Sequence, residues 1–176
     1  MKRSKPILPN EAHDHIHGPA DAPLKLVEYG DYQCPYCGDA HEAVKEIQDR
    51  LGDQLCFVFR NFPLVDKHPH AEHAAEAAEA AGQQGRFWEM HDWLLENQSA
   101  LSDDDLADYA AELDFDAKRL MAEVRSGAHA SRIQSDVRCG EQNGVKGTPT
   151  FFVNGKLFDG DPRSDELSAA LNENSE

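Results

Sequence analysis

Hydrophobic residues follow two kinds of pattern along the chain, and the change between them outlines a fold. Continuous apolar runs over residues 24–29 and 55–59 predict two buried strands. Between them, from Pro35 to about Leu51, apolar residues recur every three or four positions, which predicts a helix with one inward face. Because a helix joins the two strands, we expect them to be parallel neighbours in one sheet.

The middle of the chain, from about residue 69 to residue 143, carries helical patterns and no strand-like run. Its first part is rich in alanine and glutamate and stops at a glycine, which favours a helix. Further on, Ser102 is followed by three aspartates, a pattern typical of a helix N-cap. This part of the chain therefore predicts several helices and no continuation of the sheet.

Strand patterns return after Gly144 as two short apolar runs joined by Asn154-Gly155, which predicts a hairpin. Residues 164–171 then predict a short closing helix. The predicted fold class is α/β, with the element order βαβ, a helical insertion, and then ββα.

This order divides the chain into three parts. Residues 1–23 contain prolines and polar residues, and they predict an N-terminal arm outside the core. Residues 24–65 and 144–176 predict one α/β domain, and residues 66–143 predict a helical insertion within it.

Charge and length exclude several classes of function. The 176 residues include 17 basic and 33 acidic side chains, and this net charge of −16 argues against binding to nucleic acids or anionic membranes. No window approaches the roughly 18 apolar residues of a membrane span, so we expect no membrane insertion. The basic N-terminus has no apolar segment behind it, which indicates a cytoplasmic protein. An extracytoplasmic location would require a signal peptide that has been removed.

Two cysteines, Cys34 and Cys37, flank the dipeptide Pro35-Tyr36, and this spacing fits a zinc site, a structural disulfide or a redox pair. Zinc would need a second pair of ligands, whereas Cys56 and Cys139 are isolated in the sequence. A disulfide that closes so small a loop would restrain the unfolded chain little. Two groups of histidines could bind a metal adventitiously: His13, His15 and His17, and His68, His70 and His73. The alternating histidines of the arm are interpreted as solvated side chains.

The redox interpretation gives each residue of the motif a role. Cys34 precedes the predicted helix and Pro35 occupies its first position, where a missing N–H has no cost. The Cys34 sulfur would then lie beside free N–H groups at the positive end of the helix dipole, which favours the reactive thiolate. Cys37, one turn inside the helix, would be the shielded thiol that resolves a mixed disulfide.

The segments VEYGDYQCPYC and GVKGTPTFFVNG together resemble the DsbA-like branch of the thioredoxin superfamily. The resemblance covers nearly the whole chain. It implies a thioredoxin fold interrupted by a helical insertion, and thiol-disulfide oxidoreductase activity on protein dithiol or disulfide substrates. It also implies an unidentified redox partner. We expect no cofactor and no bound metal.

The same resemblance assigns roles to five residues. Cys34 matches the attacking cysteine and Cys37 the resolving one. Pro149 matches a proline that follows a cis peptide bond, with Thr148 beside the disulfide. Glu28 matches an acidic residue buried beneath the active site, where a carboxylate could take or relay the proton of the resolving thiol. The alternative for Glu28 is a position at the sheet edge that reaches solvent.

Tyr36 departs from the DsbA pattern, which has a histidine at this position. Tyrosine carries no positive charge, so we expect a less stable Cys34 thiolate, a weaker oxidant and a preference for reducing disulfides. Two other functions remain open: a glutaredoxin-type reductase linked to small thiols, and a non-catalytic module that binds a metal or a partner. Cys56 is interpreted as a buried inert thiol, while Cys139 is either a quiet or an oxidisable surface thiol. His41, one turn after Cys37, could tune the redox pair, but it is interpreted as solvated on a helix face.

Overall fold

A five-stranded mixed sheet lies at the centre of the computed structural model, which describes residues 5–173. The strands are β1 (Ile16–His17), β2 (Leu24–Gly30), β3 (Leu55–Asn61), β4 (Thr150–Val153) and β5 (Lys156–Leu157). The helices are α1 (Pro35–Leu51), α2 (Ala71–Gln83), α3 (Phe87–Glu96), α4 (Asp103–Glu112), α5 (Ala117–Ser126), α6 (Ala130–Gln142) and α7 (Glu166–Glu173). Residues 1–4 of the predicted arm and residues 174–176 of the predicted α/β domain lie outside the described residues.

The sheet has the strand order β1-β3-β2-β4-β5, so β2 lies in the middle. It pairs in parallel with β3 and antiparallel with β4, which confirms the predicted βαβ and ββα units. The β4–β5 hairpin turns at Asn154 and Gly155, and both residues have positive φ angles, as a tight hairpin turn requires. The α/β fold class predicted from the sequence is therefore confirmed.

Successive residues of the central strands face two different cores. On one face, Leu26, Phe57 and Phe151 join a large cluster that includes apolar side chains of α1, α7 and the insertion. On the other face, Val58 and Phe152 belong to a smaller cluster, against which part of α6 packs. Because both faces are covered, β2 and β3 carry continuous apolar runs in the sequence, without alternation between apolar and polar residues.

Five helices, α2 to α6, lie between β3 and β4, as the sequence predicted. The predicted N-cap is also present: the Ser102 hydroxyl accepts from the Asp105 backbone N–H, and the Asp105 carboxylate accepts from the Ser102 backbone N–H. Within residues 5–173, no helix is both long and apolar enough to cross a membrane. The division into separate domains stays a prediction.

The N-terminal segment contributes more to the fold than the predicted arm. Ile16 and His17 form β1, which pairs antiparallel with Val58 and Phe57 of β3. Ile7 forms an isolated bridge with Gly155 and is only 8% exposed. The prediction that this segment lies outside the core was therefore wrong, because two residues are too few to show a strand periodicity.

Three consecutive residues attach this segment to the sheet and the insertion. His13 Nε2 lies 2.7 Å from a carboxylate oxygen of Asp136, and His15 Nε2 lies 2.9 Å from one of Glu79. Asp14, between them, forms an ion pair with the buried Arg60 of β3. The prediction that His13 and His15 are merely solvated was wrong, because their partners are far away in the sequence.

Candidate active site

Cys34 and Cys37 lie where the chain passes from β2 into α1. Cys34 is the N-cap residue of α1 and Pro35 is its first helical residue, as the sequence predicted. The Cys37 and Gly38 N–H groups donate to the Cys34 carbonyl oxygen over 3.0 and 3.2 Å, which closes the first turn. Both thiols are free, and Cys37 is completely buried.

The pKa values of the two thiols in the motif are shifted in opposite directions. The hydrogen bond from the Cys37 thiol contributes most to lowering the pKa of Cys34 to about 5. Bonds from Thr148 and from the backbone N–H groups of Tyr36 and Cys37 lower it further, while burial opposes them. The pKa of Cys37 is raised well above its ordinary value, first by burial and then by its bond to Cys34. The predicted role of the helix start is thus only part of the cause, since the Cys37 thiol contributes more.

The loop before β4 reaches the Cys34 sulfur. In its protonated form, the Cys34 thiol donates to the Thr148 carbonyl oxygen over 3.5 Å. The Thr148–Pro149 peptide bond is cis, the isomer expected from the sequence. Beside this contact lies a cleft of about 160 Å³, lined by Tyr36, Thr148, Pro149, Asp161, Pro162 and Arg163. Tyr36 is 61% exposed at its rim, so a substrate could approach Cys34 along this cleft.

Glu28 lies beneath the motif, on the sheet face that α1 covers. Its neighbours on the adjacent strands are Phe59 and Phe151, and it is only 1% exposed. Burial, followed by the charge of the Cys34 thiolate, raises the pKa of Glu28 to about 8. Its Oε1 atom has no hydrogen-bond partner among the described residues. The alternative of a solvent-reaching edge position is therefore excluded, and its role as a proton acceptor stays a prediction.

Asp31 is a site residue that was not singled out from the sequence. Its buried carboxylate accepts hydrogen bonds from the backbone N–H groups of Gln33 and Leu64, over 2.8 Å each. It also lies 2.7 Å from Nδ1 of His68, and the Asp31 N–H donates to the Cys37 sulfur over 3.4 Å. Asp31 thus connects the segment before the motif to the segment after β3. The sequence signal was an aspartate directly after a buried strand.

Gln98 connects the helical insertion to the motif. Its Nε2 group donates to the carbonyl oxygens of Tyr32 and Cys34 over 3.0 and 2.7 Å. A side chain at Gly38 would overlap that of Gln98, so glycine is needed there for this contact. No local pattern marks Gln98, because its partners are more than sixty residues away in the chain.

The remaining cysteines and His41 lie outside the motif. Cys56 is completely buried in β3, as predicted for an inert thiol. Cys139 is partly buried, and the Tyr29 hydroxyl donates to its sulfur over 3.3 Å. His41 was predicted to be solvated, but it is only 5% exposed, because its side of α1 faces α3.

Comparisons with known proteins agree with this geometry. A family model described as Thioredoxin matches residues 10–173, which is most of the chain. Among curated proteins, the chain is 48% identical over 166 residues to a Salinispora arenicola protein named Na(+)/H(+) antiporter NhaA 1. That match covers 94% of this chain and 25% of the relative. The chain therefore spans about a quarter of the length of the curated relatives it matches.

Solved structures show the same fold. BdbD from Bacillus subtilis has a TM-score of 0.84 and 25% identity, with 96% of each chain covered. A thioredoxin-like oxidoreductase from Silicibacter pomeroyi has a TM-score of 0.82 and 25% identity, with 93% of this chain and 92% of that one covered. The α-DsbA1 protein of Wolbachia pipientis, at 17% identity, has a TM-score of 0.80 over 95% of this chain and 92% of its own. The chain belongs to the thioredoxin family and has the fold of the DsbA-like thiol-disulfide oxidoreductases.

Proposed function

We propose that this protein catalyses thiol-disulfide exchange on protein substrates, with Cys34 as the nucleophile and Cys37 as the resolving thiol. The observation that carries the proposal is that the pKa values of the two thiols are shifted in opposite directions: that of Cys34 is lowered to about 5, while that of Cys37 is raised. At neutral pH, Cys34 is a thiolate and Cys37 is a thiol. Only the thiolate attacks disulfides, so the reaction begins at Cys34.

The exchange has two steps. The Cys34 thiolate attacks one sulfur of a substrate disulfide, that bond breaks, and the other substrate sulfur leaves as a thiolate. Cys37 then loses its proton and attacks Cys34, which forms the Cys34–Cys37 disulfide and releases the second substrate sulfur. Two electrons pass from the protein dithiol to the substrate disulfide. The reverse sequence oxidises a substrate dithiol.

In the proposed mechanism, Glu28 takes the proton that Cys37 loses. Its charge raises the pKa of Cys37, which indicates that the two groups interact inside the same buried region. Once Cys34 is bound in a mixed disulfide, the thiolate charge that helps to raise the pKa of Glu28 is gone. The Glu28 carboxyl then ionises more readily and can accept the proton at the moment when Cys37 must attack.

The substrate is an extended peptide that lies in the cleft beside Thr148 and Pro149. The cleft is lined by Thr148, whose carbonyl oxygen contacts the Cys34 sulfur, and by the exposed ring of Tyr36. An extended chain can pair with exposed backbone groups at such a position, and this mode of recognition requires little sequence specificity. The cleft therefore suits many protein substrates.

Trapping of a mixed disulfide tests the assignment. Cys37→Ser, incubated with a disulfide-containing protein such as insulin, should accumulate a covalent complex through Cys34, because no resolving thiol is present. Cys34→Ser should form none. Cys139→Ser is the matched control, and it should turn over substrate like the wild type. Covalent complexes in Cys34→Ser but not in Cys37→Ser would reverse the two roles.

The acidity of Cys34 also bears on the direction of the reaction. The Cys34 pKa of about 5 lies between those of the reactive cysteines in two members of the superfamily, about 7 in thioredoxin and about 3.5 in DsbA. A less acidic thiolate stabilises the reduced form less, so the disulfide is a weaker oxidant than that of DsbA. We therefore place this protein on the reducing side of DsbA, as expected from Tyr36.

A second candidate function is a partner-binding module without turnover. It is favoured by one observation: the matching region forms only a quarter of relatives named Na(+)/H(+) antiporters. In that case the partner of this chain would be a membrane transporter of the same kind. Insulin reduction with dithiothreitol separates the two functions, since an enzyme accelerates it and a binding module does not.

A further inference from the structure

A group of imidazole and carboxylate side chains lies between α1 and α3, one helical turn beyond Cys37. His41 comes from α1, while His91 and Asp92 come from α3, and one possible ligand atom of each lies within 4.8 Å of the others. Glu96, one turn further along α3, brings its Oε1 atom to 3.4 Å from Nε2 of His41. We infer that these four side chains form a binding site for a divalent transition-metal ion such as zinc.

The two histidines are suited to this role because both rings are held in place. His91 is 2% exposed and His41 is 5% exposed. Nδ1 of His91 lies 2.9 Å from the Tyr32 hydroxyl, which leaves Nε2 for a ligand. Metal-binding histidines usually have their second ring nitrogen fixed by a hydrogen bond in this way. Tyr32 is therefore a positioning residue for His91.

The carboxylates complete the donor set at the more open side of the group. Oδ1 of Asp92 lies 3.8 Å from Nε2 of His41, while Oδ2 lies 2.9 Å from the Lys45 ammonium group. Lys45 thus holds the outer oxygen and leaves the inner one directed at His41. The side chain of Glu96 is 56% exposed, so it has the freedom to approach an ion.

The separations allow a tetrahedral ion after a small adjustment. Ligands about 2.1 Å from a tetrahedral zinc ion lie about 3.4 Å from one another. The contact between Glu96 and His41 already has this length, at 3.4 Å, and the contact between Asp92 and His41 is 3.8 Å. The donor atoms of His41, His91 and Asp92 lie within 4.8 Å of one another, so an ion would draw these three donors and the exposed Glu96 carboxylate closer together.

The donor types select the class of metal. Two imidazoles favour zinc and similar transition metals over calcium and magnesium, which prefer oxygen ligands. Two carboxylates balance the charge of a divalent ion, and the strongly acidic chain as a whole attracts cations. A bound ion would join α1, which carries the redox motif, to α3 of the insertion.

Zinc titration by calorimetry tests this site. The protein is free of affinity tags and fully oxidised, so that Cys34 and Cys37 form a disulfide and bind no metal. We expect one zinc ion per chain. His41→Gln should reduce the affinity at least about a hundredfold, because loss of a ligand costs more than the 10- to 100-fold lost with a residue that only hydrogen-bonds to a ligand. Asp92→Asn should weaken binding as well. His73→Gln, which removes an exposed histidine paired with a carboxylate elsewhere, should leave the affinity unchanged.

A second measurement separates loss of the site from loss of the fold. Zinc should raise the melting temperature of the wild type and of His73→Gln, but not that of His41→Gln. Tyr32→Phe should bind zinc about tenfold more weakly, since it removes only the outer hydrogen bond to His91. The proposal is overturned if oxidised wild-type protein binds no zinc, or if His41→Gln and Asp92→Asn bind it as tightly as the wild type.

Discussion

Glu28 shows how a position in the sheet changes the chemistry of one side chain. The carboxyl group lies between Phe59 and Phe151, out of contact with solvent, and an oxygen has no partner among the described residues. Ionisation there is opposed first by burial and then by the Cys34 thiolate, which raises the pKa of Glu28 to about 8. The group is therefore largely neutral at neutral pH and close to the point where it gains or loses a proton.

This raised pKa makes the folding stability depend on pH. Below pH 4.5, the ordinary pKa, Glu28 is protonated in the folded and the unfolded chain and has no effect. As the pH rises towards 8, the unfolded chain ionises first, so the folded state loses stability. We expect Glu28→Gln to remove this loss, so that the variant gains stability relative to the wild type between these pH values, by a few kcal/mol.

Urea unfolding of the reduced proteins at pH 4, 6, 8 and 9 measures the effect. The gain in stability of Glu28→Gln over the wild type should be small at pH 4 and level off above pH 8. Glu42→Gln, on the exposed side of α1, is the matched control for removal of a charge. A difference between Glu28→Gln and the wild type that does not change with pH would contradict the raised pKa.

Tyr36 controls the redox potential in our interpretation, because it places a neutral ring where a cation would stabilise the thiolate. The Arg163 guanidinium lies 5.9 Å from the centre of this ring, but it also forms an ion pair with Asp161. We expect Tyr36→His to lower the pKa of Cys34 further and to raise the reduction potential by about 30 mV for each 1.4 kcal/mol of added stabilisation of the reduced form. Tyr36→Phe should leave the potential almost unchanged, and an unmoved potential in Tyr36→His would refute this role of Tyr36.

At the scale of elements, the insertion and α1 are joined at the active site by Gln98. Its two hydrogen bonds hold the carbonyl groups of Tyr32 and Cys34 at the start of α1. We expect Gln98→Ala to destabilise the protein by about 1–2 kcal/mol and to raise the pKa of Cys34, because the first turn of α1 is then less firmly held.

Thiolate absorbance as a function of pH measures the second effect. Gln84→Ala is a matched control, because Gln84 also donates to a backbone carbonyl, that of Asp116, but away from the motif. It should leave the titration of Cys34 unchanged. An equal shift in both variants would mean that Gln98 has no specific role at the active site.

The elements differ in how far the sequence could predict them. β2 and β3 are long and buried on both faces, so their apolar runs were clear, and α1 was marked by Pro35 and by its periodicity. β1 has two residues, and its pairing depends on β3, which lies some forty residues later in the chain. A pattern so short has no detectable period.

The residues of the candidate site also differ in how far the sequence could predict them. Cys34 and Cys37 belong to one local motif. Pro149 was also predicted from a short contiguous segment, GVKGTPTFFVNG, through its resemblance to DsbA-like proteins. Gln98 was missed because its contact with Cys34 exists only after the insertion has packed against α1. The approach of His41 to His91 likewise depends on the packing of two separate helices.

At the scale of the whole molecule, the N-terminal segment is attached by a buried ion pair. The Asp14 carboxylate accepts two hydrogen bonds from Arg60, over 3.0 and 2.8 Å, and Arg60 also donates to the Leu8 carbonyl and the Tyr29 hydroxyl. We expect Asp14→Asn to destabilise the protein by about 3–5 kcal/mol, because it leaves the buried Arg60 charge without its counterion.

Urea unfolding at neutral pH measures this loss. Asp161→Asn is the control: Asp161 pairs with Arg163 on the surface, where ion pairs contribute little, so its loss should have a much smaller effect on stability. Equal effects of the two substitutions would show that the N-terminal segment contributes no more than a surface contact.

The central claim is that Cys34 and Cys37 form a redox pair in which Cys34 is the thiolate. Equilibration of the wild-type protein with defined ratios of reduced and oxidised glutathione, read by mass spectrometry after thiol alkylation, tests it most directly. We expect one reversible two-electron transition between Cys34 and Cys37, at a potential between about −270 mV, the value of thioredoxin, and about −120 mV, that of DsbA. A potential below about −300 mV, typical of structural disulfides, or the absence of a Cys34–Cys37 disulfide at every ratio, would contradict it.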